Sequence, residues 1–115
     1  MNKRRRKTLN DVLDSLERLR EQISNDTAIE VLIQAQKDVQ LCCDEEEMAL
    51  DNRPESLMWT TASDDMTENI SDLCEASGEL EVLIEECRQR DDYSYEYVKN
   101  SIIEIVNLIK QSIHR

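Results

Sequence analysis

The sequence predicts an all-α protein, an antiparallel bundle of about four helices built on long helical hairpins. Helix-favouring residues such as Leu, Glu, Gln, Arg and Ala dominate the chain, whereas Gly and Pro occur once each. Apolar residues recur at intervals of three and four in several separate stretches, which is the helical period. At 115 residues, the chain has the length of one domain, residues 1–115.

The first helix is predicted by apolar residues at alternating intervals of three and four: Leu9, Val12, Leu16, Leu19 and Ile23. Thr8 or Asn10 is expected to cap its start. The apolar phase then breaks at residues 24–27 and resumes. Either a second helix starts there with Asn25 or Asp26 as its N-cap, or the first helix continues through a stutter. The break is the favoured interpretation.

The clearest boundary is at Pro54. Its ring clashes with the preceding helical turn, so the second helical segment is expected to end by about Asp51. Asn52 followed by Glu55 has the spacing of a capping box, which predicts a short turn. The next apolar residues are expected to anchor this connector across a helix pair: Leu57, Met58 and Trp59.

A third helix is expected from residues 61–63 to a turn at residues 88–92. Its apolar stripe has the spacing 4, 3, 4, 3, 4, 3: Met66, Ile70, Leu73, Ser77, Leu80, Ile84 and Cys87. Ala76 and Leu83 widen this stripe to the breadth of a bundle core. Gly78 falls on the outer side, where it costs about 1 kcal/mol of helix propensity.

The last segment also has helical spacing: Tyr95, Val98, Ile102, Ile105, Val106, Ile109 and Ile113. Its β-branched residues are equally typical of a strand. We favour a helix because the period extends over about 20 residues and a single strand would have no partner. The residues expected in the core are Leu73, Leu80, Ile84, Ile102, Ile105 and Ile109.

Charge is the most informative property of the composition. The formal net charge is −12, and residues 38–96 contain 19 acidic and three basic residues. Such a surface repels nucleic acid and acidic membranes and attracts basic proteins. The basic run at residues 3–7 is interpreted as a solvated, flexible tail, with a self-docking arm or weak nucleic-acid contact as alternatives.

The sequence contains no apolar run long enough to span a membrane and no signal-peptide core, so we expect a cytoplasmic protein. Cytosolic redox conditions then predict free thiols at all four cysteines: Cys42, Cys43, Cys74 and Cys87.

Parts of the chain resemble a family of small helical proteins of phages and mobile elements of Gram-positive bacteria. The resemblance rests on NKRRRK at residues 2–7, EEEMALDNRPESL at 45–57, MTENISDL at 66–73 and Leu80-Glu81. It implies a helical hairpin around a D-N-x-P-E-S-L connector and a mobile-element origin, but no activity. Two departures are the greater length of this chain and Arg53, where an apolar residue is common.

No catalytic, cofactor or metal site is predicted. The cysteines lack C-x₂₋₄-C spacing, the single histidine is His114, and no glycine-rich loop exists to bind phosphate. The one all-α enzyme class with comparably acidic helices is the Mg²⁺-dependent nucleotide pyrophosphohydrolases. This chain does not match their E-E-x-x-E motif. The position of the last glutamate is occupied by Leu50 after Glu46-Glu47 and by Gln89 after Glu85-Glu86.

The strongest candidate for a site is an acidic stripe on the third helix. It is expected opposite Ile70, Ser77 and Ile84, and its members are Asp65, Glu68, Asp72, Glu75, Glu79 and Glu86. Carboxylates three or four residues apart on a helix are about 5–6 Å apart, near the phosphate spacing of a nucleic-acid strand. The alternative is an ordinary solvated helix face.

The main functional hypothesis is a phage or mobile-element inhibitor acting in the host cytoplasm. It would bind a basic, nucleic-acid-binding host defence protein by mimicking nucleic acid, in the style of an anti-CRISPR, without contacting nucleic acid or membrane itself. The alternative is a non-enzymatic structural or adaptor bundle, with a homodimer as one form. A pyrophosphohydrolase is the third and weakest hypothesis.

Overall fold

The computed structural model describes residues 1–21, 25–89 and 95–115. Within them the chain forms helices and one short 3-10 turn and no strand, so the all-α prediction is confirmed and the strand alternative for the last segment is wrong. No helix among the described residues is both long and apolar enough to cross a membrane. The helices are α1 (Lys3–Glu21), α2 (Asn25–Asp51), α3 (Thr61–Gln89) and α4 (Tyr95–His114), with the 3-10 turn at Glu55–Leu57.

The four helices form an antiparallel bundle in which each packs against two neighbours: α1 on α2, α2 on α3, α3 on α4, and α4 on α1. Two ion pairs show the antiparallel direction. Arg4 at the start of α1 pairs with Glu45 near the end of α2, and Arg115 after α4 pairs with Asp72 in the first half of α3. The bundle is 53 Å long. Because α1 and α2 are separate helices that run antiparallel, the favoured break between them is confirmed. The predicted caps Asn25 and Asp26 have side chains outside the described residues.

The basic run belongs to the first helix. Asn2 caps α1, because its Oδ1 accepts a hydrogen bond of 2.9 Å from the backbone N–H of Arg5. The prediction of Thr8 or Asn10 as the cap is therefore wrong. So is the prediction of a flexible tail at residues 1–7, since residues 3–7 form the first turns of α1 and Arg5 is buried. Of the three interpretations of residues 3–7, the structure agrees with the self-docking arm, because Arg5 packs onto the bundle and pairs with Glu46.

The predicted end of α2 at Asp51 is confirmed, but the capping box is wrong. The backbone N–H of Asn52 still donates to the Met48 carbonyl, at 3.0 Å, and so completes the last turn of α2. Pro54 occupies the N-cap position of the 3-10 turn and makes no side-chain cap hydrogen bond. Asn52 therefore closes one helix instead of opening the next element.

The connector is held by polar contacts. Thr60 caps α3 by accepting a hydrogen bond of 3.3 Å from the backbone N–H of Ser63. The Ser63 hydroxyl in turn donates to the Leu57 carbonyl at 2.6 Å. The predicted apolar anchor is wrong, because Leu57 is 41% exposed and Trp59 is 91% exposed. Hydrogen bonds close this turn without burying either side chain.

The core follows the helical stripes. All six residues that the sequence placed in the core are buried: Leu73, Leu80, Ile84, Ile102, Ile105 and Ile109. Gly78 lies on the outer side of α3 as predicted, with open space around its Cα. In the third turn of α3 the polar residue Asn69 is buried, whereas the neighbouring Ile70 is only half-buried. A polar side chain in the core at this point requires a polar partner.

Candidate protein-binding surface

The predicted acidic stripe lies on the flank of α3 that faces α4. Asp72, Glu75 and Glu79 each immediately precede a fully buried residue in the sequence. One residue is a rotation of about 100°, so these acids border the core face instead of opposing it. The placement opposite the seam is therefore wrong. The half-buried members are Asp65, Asp72, Glu79 and Glu86, and the exposed members are Glu68 and Glu75.

Two of the six carboxylates already have a cation. Arg115 Nη1 lies 2.8 Å from Asp72 Oδ2, and Arg115 Nε lies 3.1 Å from Glu68 Oε2. Nη1 also donates to Asn69 Oδ1 at 3.1 Å. One guanidinium from the end of α4 thus compensates this part of the stripe, which makes Glu68 and Asp72 poor candidates for binding a partner's basic group.

The uncompensated part of the stripe lies further along α3. Glu75 and Glu79 line a groove between α3 and α4 together with Glu104 from α4. The groove has a volume of about 480 Å³, and Val82 and Tyr97 also line it. We call this set of three carboxylates the acidic groove. Among the described residues, no Lys or Arg pairs with any of the three.

The electrostatics of the acidic groove agree with its geometry. Partial burial raises the pKa of Glu79, and the neighbouring charges of Glu104 and Glu75 raise it further. A carboxyl group responds in this way where negative charge is concentrated without a compensating cation. The acidic groove therefore favours any group that brings positive charge.

The two ends of the predicted stripe are separate from this groove. Glu86 Oε2 is buried and has no hydrogen-bond partner among the described residues. Asp65 lies one turn before Asn69, near the start of α3, and is half-buried. Neither residue lines the acidic groove, so the structure does not bring the six carboxylates together in one site.

Sequence reasoning missed a buried polar cluster at the end of the bundle where α1 begins. Glu46 is fully buried; its Oε1 accepts a hydrogen bond from Arg5 Nη2 at 3.3 Å, and its Oε2 accepts one from Asn69 Nδ2 at 3.2 Å. The signal was present in the sequence, because Glu46 follows the core residue Val39 by seven positions. This spacing places it on the same buried face of α2.

All four cysteines are free, as predicted. Cys42, Cys43 and Cys87 are buried, whereas Cys74 is exposed. Across residues 1–21, 25–89 and 95–115, no three His, Cys, Asp or Glu side chains are grouped so that they can hold a metal ion. His114 is exposed at the end of α4.

The fold and this surface define an all-α bundle with an uncompensated acidic groove. Comparison of the chain with protein-family models, with curated proteins and with solved structures finds no match.

Proposed function

We propose that this protein binds a basic, nucleic-acid-binding host protein through the acidic groove and thereby inhibits it. The observation that carries the proposal is the group of Glu75, Glu79 and Glu104, which has no cation within the described part of the chain. A Lys or Arg side chain entering the groove would relieve the repulsion among these carboxylates. Binding energy would thus come from charge that destabilises the free protein.

The form of the groove supports a protein partner. Glu75 and Glu79 are four residues apart on one helix, a spacing of about 5–6 Å that approximates successive phosphates of a nucleic-acid strand. Val82 is 57% exposed and Tyr97 is 46% exposed at the same groove. Such apolar surface suits the aliphatic stems of Lys and Arg, and a tyrosine ring attracts their charged ends.

The resemblance to mobile-element proteins around the D-N-x-P-E-S-L connector supports the biological setting of the proposal. A protein encoded by a phage gains from blocking a host defence protein that handles nucleic acid. Occupying the basic nucleic-acid groove of that protein, in the manner of an anti-CRISPR, requires no catalytic group. We accordingly propose that the protein acts as an inhibitor and not as an enzyme.

The test compares two triple reversals with the same change in net charge. The groove variant carries Glu75→Lys, Glu79→Lys and Glu104→Lys. Asp72 is omitted from it because Arg115 already pairs with that residue. The control variant reverses exposed acids outside the groove: Asp14, Glu30 and Glu47. Circular dichroism and thermal unfolding establish that each variant is folded, and a Glu→Gln groove triple tests loss of charge without reversal.

Each tagged protein is used to capture partners from a lysate of a Gram-positive bacterium. We expect wild type and the control variant to capture the same basic protein and the groove variant to lose it. Capture should weaken between 0.1 M and 1 M salt, over which the screening length falls from about 10 Å to 3 Å. Added nucleic acid should compete. Undiminished capture by the folded groove variant, or capture insensitive to salt and nucleic acid, would refute the proposal.

An adaptor bundle that forms homodimers is the second candidate, and one observation favours it. Leu41 and Met48 lie seven residues apart on α2 and are 53% and 63% exposed. Because seven residues are two helical turns, both side chains lie on the same outer side of α2. Sedimentation of wild type and of a Leu41→Ser, Met48→Ser variant tests this candidate. A dimer that the variant loses would support it, and a monomeric wild type would eliminate it.

A further inference from the structure

Two cysteines meet across the most extensive helix interface of the bundle. Cys43 of α2 and Cys74 of α3 place their Sγ atoms 2.7 Å apart, and either thiol can act as the hydrogen-bond donor. The residues are 31 positions apart in the chain, so only the packing of α2 on α3 brings them together. Both cysteines are free.

The two thiols have different surroundings. Cys43 is buried, and its Sγ also lies 3.6 Å from the carbonyl oxygen of Ile70, whereas Cys74 is exposed. Burial raises the pKa of the Cys43 thiol, and the hydrogen bond to Cys74 raises it further. Cys43 therefore stays protonated and shielded from solvent, and Cys74 is the thiol that an oxidant can reach.

We propose that Cys43 and Cys74 form an oxidative modification site at which a peroxide converts the two thiols to an intramolecular disulfide. The Cys74 thiolate attacks one peroxide oxygen, the O–O bond breaks, and the departing hydroxide takes up the proton that Cys74 released. The product is a sulfenic acid on Cys74. The Cys43 sulfur then attacks that sulfur, the S–O bond breaks, and the hydroxyl leaves with the Cys43 proton as water.

The overall step balances. Two thiols and one hydrogen peroxide give one disulfide and two waters, so the sulfur atoms together lose two electrons and the peroxide gains them. Cys43 acts as the resolving thiol, already in contact with the sulfur that is oxidised. Resolution by a neighbouring thiol protects Cys74 from irreversible oxidation to the sulfinic acid.

The remaining cysteines serve as internal controls. Cys42 is buried beside Cys43 in the chain, but its Sγ contacts the carbonyl oxygen of Arg5, at 3.9 Å. Cys87 is buried near the other end of α3. No second Sγ lies within contact distance of either, in the part of the chain that the structure describes. Both are expected to remain thiols when the pair is oxidised.

The experiment treats the reduced, full-length protein with stoichiometric hydrogen peroxide and then alkylates the remaining thiols. Trypsin cannot separate the four cysteines, because the only basic residue between Cys42 and Cys87 is Arg53, which Pro54 follows. Cleavage after glutamate places Cys74 and Cys87 on separate peptides and leaves the adjacent Cys42 and Cys43 together on a third. A Cys42→Ser variant removes the ambiguity between the adjacent Cys42 and Cys43.

We expect one peptide cross-linked between Cys43 and Cys74, alkylated Cys42 and Cys87, and a mass lower by two hydrogen atoms. A thiol reductant should reverse the change, and the oxidised protein should have a higher Tm because the link joins α2 to α3. The exposed-site variant Cys74→Ser should form no cross-link, whereas Cys42→Ser should behave as wild type. A cross-link through Cys42 or Cys87, a Cys74–Cys74 dimer on non-reducing gels, or accumulation of sulfinic acid at Cys74 would overturn the proposal.

Discussion

Arg5 and Glu46 form an ion pair inside the bundle. Arg5 Nη2 lies 3.3 Å from Glu46 Oε1, and the two side chains are 10% and 0% exposed. The pair joins the first turns of α1 to the end of α2, and Asn69 links it to α3. The cluster thus connects α1, α2 and α3 at this end of the bundle.

Removing Arg5 should be costly because Glu46 then stays buried with only the Met1 ammonium, 3.8 Å away, as a positive partner. We expect Arg5→Met to lower the free energy of unfolding by about 3–5 kcal/mol in urea denaturation. Arg4→Met is the matched control, because Arg4 pairs with Glu45 but its side chain is 73% exposed. Its cost should be about 1 kcal/mol or less. Equal costs for the two variants would mean that Arg5 contributes no more than a surface charge.

Truncation of the core tests the helix register. Leu80 and Ile105 are both 0% exposed, and replacing either with Ala should cost about 2–5 kcal/mol through lost burial and the cavity left behind. Val82 lies on the same helix as Leu80 but is 57% exposed, so Val82→Ala should cost less than about 0.5 kcal/mol. A large loss at Val82 together with a small loss at Leu80 would contradict the register of α3.

Gly78 offers a stabilising substitution. It lies within α3, and a Cβ built on it meets nothing within 4 Å. Gly78→Ala should therefore raise the free energy of unfolding by about 1 kcal/mol, since alanine loses less backbone entropy in a helix. Thermal unfolding followed by circular dichroism measures the change as a higher Tm. A lower Tm would show that the position is more crowded than the structure indicates.

The raised pKa of Glu79 predicts a pH dependence of stability. The pKa of Glu79 in the folded protein is above the usual 4.5. At pH values around and above 4.5, the folded state therefore binds more protons than the unfolded chain, and the free energy of unfolding falls as pH rises. Glu79→Gln removes the charge. We expect the variant to be more stable than wild type at neutral pH, and the difference to shrink as pH falls below 4.5. Urea denaturation of both proteins at neutral pH and below pH 4.5 measures the difference in their free energies of unfolding. A difference that stays constant would contradict the prediction.

The sequence predicted the helices well and their ends less well. Spacing of apolar residues located the buried face of α3 and α4, because burial in a bundle follows the helical period directly. The cap of α1 was misplaced because the basic run was interpreted as a solvated tail. Its burial depends on Glu46, which is 41 residues away from Arg5 in the chain. No local pattern contains that information.

The sequence predicted which type of residue forms the candidate site, but it did not predict which of these residues lie together. Glu75 and Glu79 were among the acids singled out, whereas Glu104 on α4 was not, since its membership depends on how α3 packs against α4. For the same reason the sequence could not show that Arg115 pairs with Glu68 and Asp72. The contact between Cys43 and Cys74 is equally a product of packing between helices.

The exposure of Trp59 has a practical consequence for spectroscopy. It is the protein's only tryptophan, and at 91% exposure its indole ring is in water in the folded protein as well as in the unfolded chain. Its emission maximum will therefore hardly change when the bundle unfolds. The same property makes Trp59 an optical reporter for the turn between α2 and α3, because anything that removes the indole ring from water will shift its emission to the blue.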